Sequence, residues 1–313
     1  MRISGAAITS AVLFSILQLV TSGLYGQEDT APKIKEQINV QLRWAFKEGR
    51  KISVRMEQDM DVVMNIMGRK VTMLNDSSTY MTWLVDSIDD AGIATVKTTI
   101  DRAIIKIENS MTGKTSFDSA SDEELSDSAK PLAAAYKPLL GVETITTMKT
   151  TGEVVDVKIS EKALEGIQQA SADGIIDKEM FEKLTRDASP SFPETVSSGD
   201  TWKRESEMKL PIGKLVLATT YKYEGTEMVD AKELHRIGME IEMKFALGPE
   251  AGGVSVDIIE QKNSGFIHFD NKGGRIVATQ MNQDMTMEVD SGNGQIITQN
   301  LEQRVTTIFT DGD

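Results

Sequence analysis

The chain has no cysteine, two histidines, seven prolines and 5% aromatic residues in 313 positions. Without cysteine there is no disulfide framework and no lipidated thiol of the kind that tethers a bacterial lipoprotein. His235 and His268 alone cannot assemble a recognisable zinc cluster, and both are expected on strand surfaces. There is no G-x-S-x-G elbow, P-loop or dinucleotide glycine pattern, and Ser119 in FDSAS has no histidine placed beside it by the sequence. The acidic turns at 86–92 and 290–294 lack EF-hand spacing and read as hairpin turns. No catalytic residue, metal site or cofactor is therefore expected, and the chain reads as non-enzymatic.

Positive charge is also short. Thirty-four Lys and Arg face 48 Asp and Glu, a net charge of −14 that repels phosphate backbones and anionic lipid surfaces. Nucleic acid is excluded as an expected partner. The one apolar run, over 11–20, falls short of the roughly 20 residues of a spanning helix. With Arg2 ahead of it and Ser22, Gly23 and Gly26 behind, residues 1–26 read as a secretory signal peptide cut after Gly23 or Gly26. Its removal leaves −15 and no integral membrane segment, so an exported protein is expected, periplasmic or extracellular.

What is present is alternation. From 52 to 66 the even positions are Ile52, Val54, Met56, Gln58, Met60, Val62, Met64 and Ile66, while the odd positions include Arg55, Glu57, Asp59 and Asp61. Period two places these sets on opposite faces of a strand. Residues 277–289 repeat the pattern with Met281, Gln283, Met285, Met287 and Val289 on one face. Residues 49–60 (GRKISVRMEQDM) and 274–285 (GRIVATQMNQDM) agree at six of twelve positions, each after a turn. An internal duplication and convergence of amphipathic strands both account for this. Further strands are expected at 79–86, 93–107, 144–148, 154–159, 202–210, 215–223, 236–245, 254–261 and 265–269.

Mid-chain the period changes. Residues 129–140 are rich in Ala and Leu, and 160–188 show helical spacing with Ser160 and Asp177 as N-caps. The fold expected is α+β and β-dominated: a large, curved, mostly antiparallel, half-barrel-like sheet packed on two or three mid-chain helices. Its organisation is a single domain over 27–313, with two pseudo-repeated β halves (about 38–159 and 200–310) joined by a helical segment over 160–199.

Seventeen methionines, the initiator included, concentrate on strands that ordinarily favour β-branched residues. One reading is a core of adaptable side chains; the other is a deformable apolar surface. On the second, the binding residues are Met56, Gln58, Met60, Met64, Met239, Met243, Met281, Gln283, Met285 and Met287, and the ligand is a lipid or another hydrophobic small molecule. On the first, the protein is a structural or interaction module of the cell envelope with an envelope protein as partner. A hydrolase using scattered carboxylates is a third class, and it requires a cleft with convergent acidic groups.

The strings LRWAFKEGRK, DSIDDAGIATVKTTIDR, FDS, SSGDTW, TYKYEG and GFIHFDNKGGRI, in this order, resemble a domain-of-unknown-function family of exported bacterial β-rich proteins. That resemblance implies a β-rich exported fold and brings no catalytic motif. The long strands around mid-chain helices are also similar in layout to the half-barrels of periplasmic lipoprotein carriers, an architectural analogy only.

Overall fold

Alternation of side chains carries directly into the backbone. The computed structural model describes residues 34–312 apart from 67, 171–176, 211–212, 249–252, 291 and 293–294. The leader assigned to 1–26 lies outside the described residues. Among the described residues twelve strands form: β1 (Lys51–Ile66), β2 (Arg69–Ile88), β3 (Ala94–Asn109), β4 (Gly113–Asp118), β5 (Glu143–Met148), β6 (Val154–Ile159), β7 (Thr201–Leu210), β8 (Gly213–Val229), β9 (Lys232–Leu247), β10 (Ser255–Asp270), β11 (Arg275–Asp290) and β12 (Ile296–Asp311). Three described helices, α1 (Lys130–Tyr136), α2 (Glu161–Ala170) and α3 (Lys178–Ala188), lie mid-chain. The fold is β-dominated α+β.

All twelve strands belong to one antiparallel sheet in the order β6-β5-β3-β2-β1-β12-β11-β10-β9-β8-β7, with β4 also paired to β3. The sheet stays open, with β6 and β7 at its two ends. The last strand lies between the first and the eleventh, and pairs with both over most of its length.

Several strands differ from their sequence expectation, and β12 was not expected as a strand at all, because glutamines at its inward positions 299 and 303 break the apolar alternation. β2 starts ten residues early, at Arg69, because its inward positions Asn75 and Ser77 are polar and break the apolar alternation. β4 is six mostly polar residues that carry no hydrophobic period. β10 runs unbroken through Lys262, Asn263 and Ser264, which read as punctuation in the sequence.

The inward face packs in two zones. At one end Trp44, Trp83, Phe192, Phe269 and Phe309 form an aromatic cluster, with ring centroids 5.1 Å apart for Phe192 and Phe269 and 5.4 Å for Trp83 and Phe309. At the other, Met60 and Val62 of β1 meet Met208 and Leu210 of β7, Leu215 of β8, Met243 of β9, Met285 and Met287 of β11 and Leu301 of β12. Strands β1 and β7 have five others between them in the sheet, so their shared cluster requires the sheet to curl back on itself.

The curl has a corner. β9 and β10 pair only from His235/Phe269 to Glu240/Ser264, and then part. Past that point the Gln261 side chain accepts from the Met243 backbone N–H and donates to its carbonyl, both at 2.8 Å, so an amide side chain stands in for a missing strand. Asn263 donates to the Ile241 carbonyl at 3.1 Å.

Helix α3 packs against both end strands, β6 and β7. Its N-cap is Asp177, which accepts from Met180 N–H at 2.8 Å. Its Met180 and Leu184 lie on the methionine cluster and its Phe181 on the aromatic one. Asp187 anchors it to β7 through Ser206 and Arg204.

Residues 34–46 cross the aromatic end, bridging Lys35 to Thr226 and Val40 to Val196 and donating from Ala45 N–H to the Gly274 carbonyl. The two copies of the sequence repeat meet at one carboxylate: Arg50 reaches Asp311 at 2.8 Å and Arg275 reaches it at 3.2 Å.

Candidate functional site

Cross-strand register builds a polar belt between the aromatic and methionine zones. Asn75 of β2 lies opposite Met60 of β1, Met60 opposite Gln303 of β12, Gln303 opposite Gln283 of β11, and Gln283 opposite Asn263 of β10. Directly opposed residues share a face, so these five side chains form one inward row across five strands. Gln58 flanks the row toward the aromatic end, level with Met281 two strands away, and Gln299 flanks it toward the methionine end.

These amides are enclosed. Gln283 and Gln299 are each 2% exposed, Asn75 and Asn263 5% and Gln58 6%. Gln58 Nε2, Asn75 Oδ1, Asn263 Oδ1, Gln283 Oε1 and Gln299 Oε1 find no hydrogen-bond partner among the protein groups. Gln283 Nε2 has the Met243 sulfur at 3.8 Å, a weak acceptor. A buried amide atom left unpaired costs about 1–3 kcal/mol. Several in one row mark the level at which the fold leaves buried polar atoms without a protein partner.

The structure brings most of the sequence-selected residues to this face. Gln58, Met60, Met243, Met281, Gln283, Met285 and Met287 are buried, and Met56, Met64 and Met239 are half-buried. Asn75, Asn263, Gln299 and Gln303 escaped sequence reasoning. Their signal was an amide at an alternate position of a strand, and it was lost wherever the strand itself was not read through.

The opposite face carries a second feature. A concavity of about 900 Å³ crosses the same level of the sheet on β10–β12 and β1–β4. It is lined by outward charges including Asp59, Asp61, Asp76, Lys106, Asp284 and Glu302, and of the ten sequence-selected residues only Met60 and Gln283 border it. Glu302 lies directly opposite both Asp61 and Asp284, while Lys106 pairs with Asp76 at 3.3 Å.

Charge also enters the interior at two places. Burial pushes Asp187 up, but hydrogen bonds from Lys183 and Ser206 and the charge of Arg204 outweigh it and hold the carboxyl below its usual range. The second place corrects an expectation about the histidines. His268 is 8% exposed, not on the strand surface, and its Nε2 meets Glu227 Oε1 at 2.5 Å, with Arg236 on the same carboxylate at 3.1 Å. His235 is half-buried with Nδ1 2.7 Å from the Tyr223 hydroxyl. A charge partner is what lets a titratable side chain be buried. Burial pushes both imidazoles down, against the pull of Glu227 on His268 and of Glu233 on His235.

Among the described residues no group of three or more His, Asp or Glu is placed to hold a metal ion. Asp89 instead accepts from Ala91 and Ile93 N–H in its hairpin turn, and Asp290 from Gly292 N–H.

Residues 91–276 match DUF6263, a family of unknown function. The chain belongs to the DUF6263 family. In this DUF6263 member the matched span holds Met239, Met243 and Asn263 of the site, while β1, β12 and nearly all of β11 lie beyond it. No curated protein matches the DUF6263 chain. Among solved structures it is similar to lipovitellin at 8% identity and a TM-score of 0.49, covering 86% of this chain and 26% of that one. It thus spans about a quarter of lipovitellin's length. It is also similar to a Bacteroides fragilis protein described as exported with a YmcC-like fold (11% identity, 85% of this chain, 99% of that, TM-score 0.28). A third likeness is to an outer membrane channel of Pseudomonas putida F1 (10% identity, 85% of this chain, 97% of that, TM-score 0.24). Among the described residues no helix is long and apolar enough to cross a membrane.

Proposed function

We propose that this protein is an exported, non-enzymatic binding protein whose inward sheet face closes over an amphiphilic guest. The observation that carries the reading is the row of buried amides with unmet hydrogen bonds, set in methionine-rich packing. A purely structural core has no use for that combination. Apolar residues of similar volume fill the space without stranding polar atoms, and methionine is chosen over leucine where a surface must adapt its shape. An acyl chain lies against Met60, Met243, Met285 and Met287, and its polar end reaches the belt.

The second reading is an envelope interaction module whose methionine face is simply core. The close burial of Met60, Met285 and Met287, each at most 4% exposed, favours it. Native mass spectrometry with lipid extraction separates the two. A guest requires adducts of lipid mass that denaturation releases; a clean mass after exposure to lipid, together with protein partners in pull-downs, selects the interaction module.

A further inference from the structure

We infer that the polar group seated at the amide belt is uncharged and bears hydroxyls, as in a monoacylglycerol, and is not a fatty-acid carboxylate or a phospholipid phosphate. This rests on the guest-binding reading above and adds the chemical class of the guest's head.

The charge of the belt is set by which side chains face inward. On β1 the inward residues from 52 to 66 are Ile, Val, Met, Gln, Met, Val, Met and Ile, and on β12 those from 297 to 309 are Ile, Gln, Leu, Gln, Val, Thr and Phe. β2, β10 and β11 carry no ionisable side chain at the level of the belt either, only Asn75, Ser77, Gln261, Asn263, Met281, Gln283 and Met285. On the facing layer Arg204, opposite Thr219 across the β7–β8 ladder, and Asp187 of α3 form an ion pair. They are committed to each other, Arg204 also donating to the Arg186 and Ser189 carbonyls and Asp187 also holding Lys183.

An anionic head brought to this belt is therefore desolvated without a cation to meet it, which costs far more than burying a hydroxyl that finds a partner. A hydroxyl, moreover, both donates and accepts. It suits four stranded acceptors (Asn75 Oδ1, Asn263 Oδ1, Gln283 Oε1, Gln299 Oε1) and one stranded donor (Gln58 Nε2), whichever way round each amide lies. A carboxylate only accepts. The guest enters by displacing the flexible thioethers that enclose the amides.

The test uses the full chain with two probes that share one acyl chain, monoolein and oleate, at pH 8, read by native mass spectrometry and tryptophan fluorescence. Monoolein is expected to bind at least tenfold more tightly. Gln283→Leu and Asn75→Leu are each expected to weaken monoolein at least fivefold while raising the melting temperature of the unliganded protein. Equal affinities for oleate and monoolein overturn the inference and leave the guest-binding reading standing. Binding of neither probe overturns both. A leucine variant that melts lower and binds monoolein unchanged shows the amide to be structural and also overturns the inference.

Discussion

Two glutamines one strand apart have opposite energetic roles. Gln261 satisfies both backbone groups of Met243 where β9 and β10 part, whereas Gln283 Oε1 is buried and unpaired. Gln261→Leu strands a buried N–H and a C=O and is expected to cost roughly 2–5 kcal/mol in chemical denaturation. Gln283→Leu, which removes a stranded atom and keeps the volume, is expected to be neutral or stabilising in the same assay. The histidines give a pH dependence with a definite sign. Both imidazoles lie below their ordinary 6.5 in the fold because burial disfavours the charged form. The unfolded chain then binds more protons at acid pH, so the stability they contribute is present above pH 6.5 and lost as pH falls through the folded values. Denaturant midpoints measured down a pH series are expected to decline in that range, and His235→Gln and His268→Gln each to flatten the decline.

At the scale of elements, the chain specified most of its strands through side-chain period and several of its turns through glycine. Gly49 and Gly274 hold matched places before the two repeats, both with left-handed backbone (φ +76° and +60°). Their surroundings differ. A Cβ on Gly49 meets open space, while one on Gly274 comes within 2.2 Å of the Ala45 Cβ. Gly49→Ala is therefore expected to cost about 1–2 kcal/mol from backbone strain, and Gly274→Ala distinctly more, because the segment over 34–46 must also shift. Thermal melts of the two variants side by side check the order. Helix α3 depends on Asp187 for its tie to β7. Asp187→Ala is expected to speed amide hydrogen exchange across 178–188 while leaving exchange in β1 and β12 unchanged. Nothing in the helical pattern of 160–188 announced that tie. Spacing shows which stripe of a helix is apolar but not which polar group on a distant strand it meets.

The whole molecule is organised around its last strand. β12 pairs with β1, some two hundred and fifty residues earlier in the chain, and with β11 beside it, so it joins the early strands to the late ones. Removing residues 296–313 is expected to abolish cooperative unfolding altogether, seen by circular dichroism as a broad drift in place of a single transition. Closure of such distant pairings is slow, and refolding of the full chain is expected in milliseconds to seconds or longer. The same long-range pairing explains the belt. Asn75, Gln283 and Asn263 come from β2, β11 and β10, and only register sets them level.

By itself the sequence determined the β-dominated class, the two methionine strands with a common inward face, the capped helices between and the lack of chemistry-bearing motifs, because all of these follow from local period and composition. Only the tertiary structure decided where the sheet curls, that Arg50 and Arg275 converge on Asp311, that His268 is buried, and that amides scattered along four strands form one row. Each of these depends on pairing between residues far apart in the chain, and hydrogen-bond register, unlike side-chain period, is not written in any local stretch of residues.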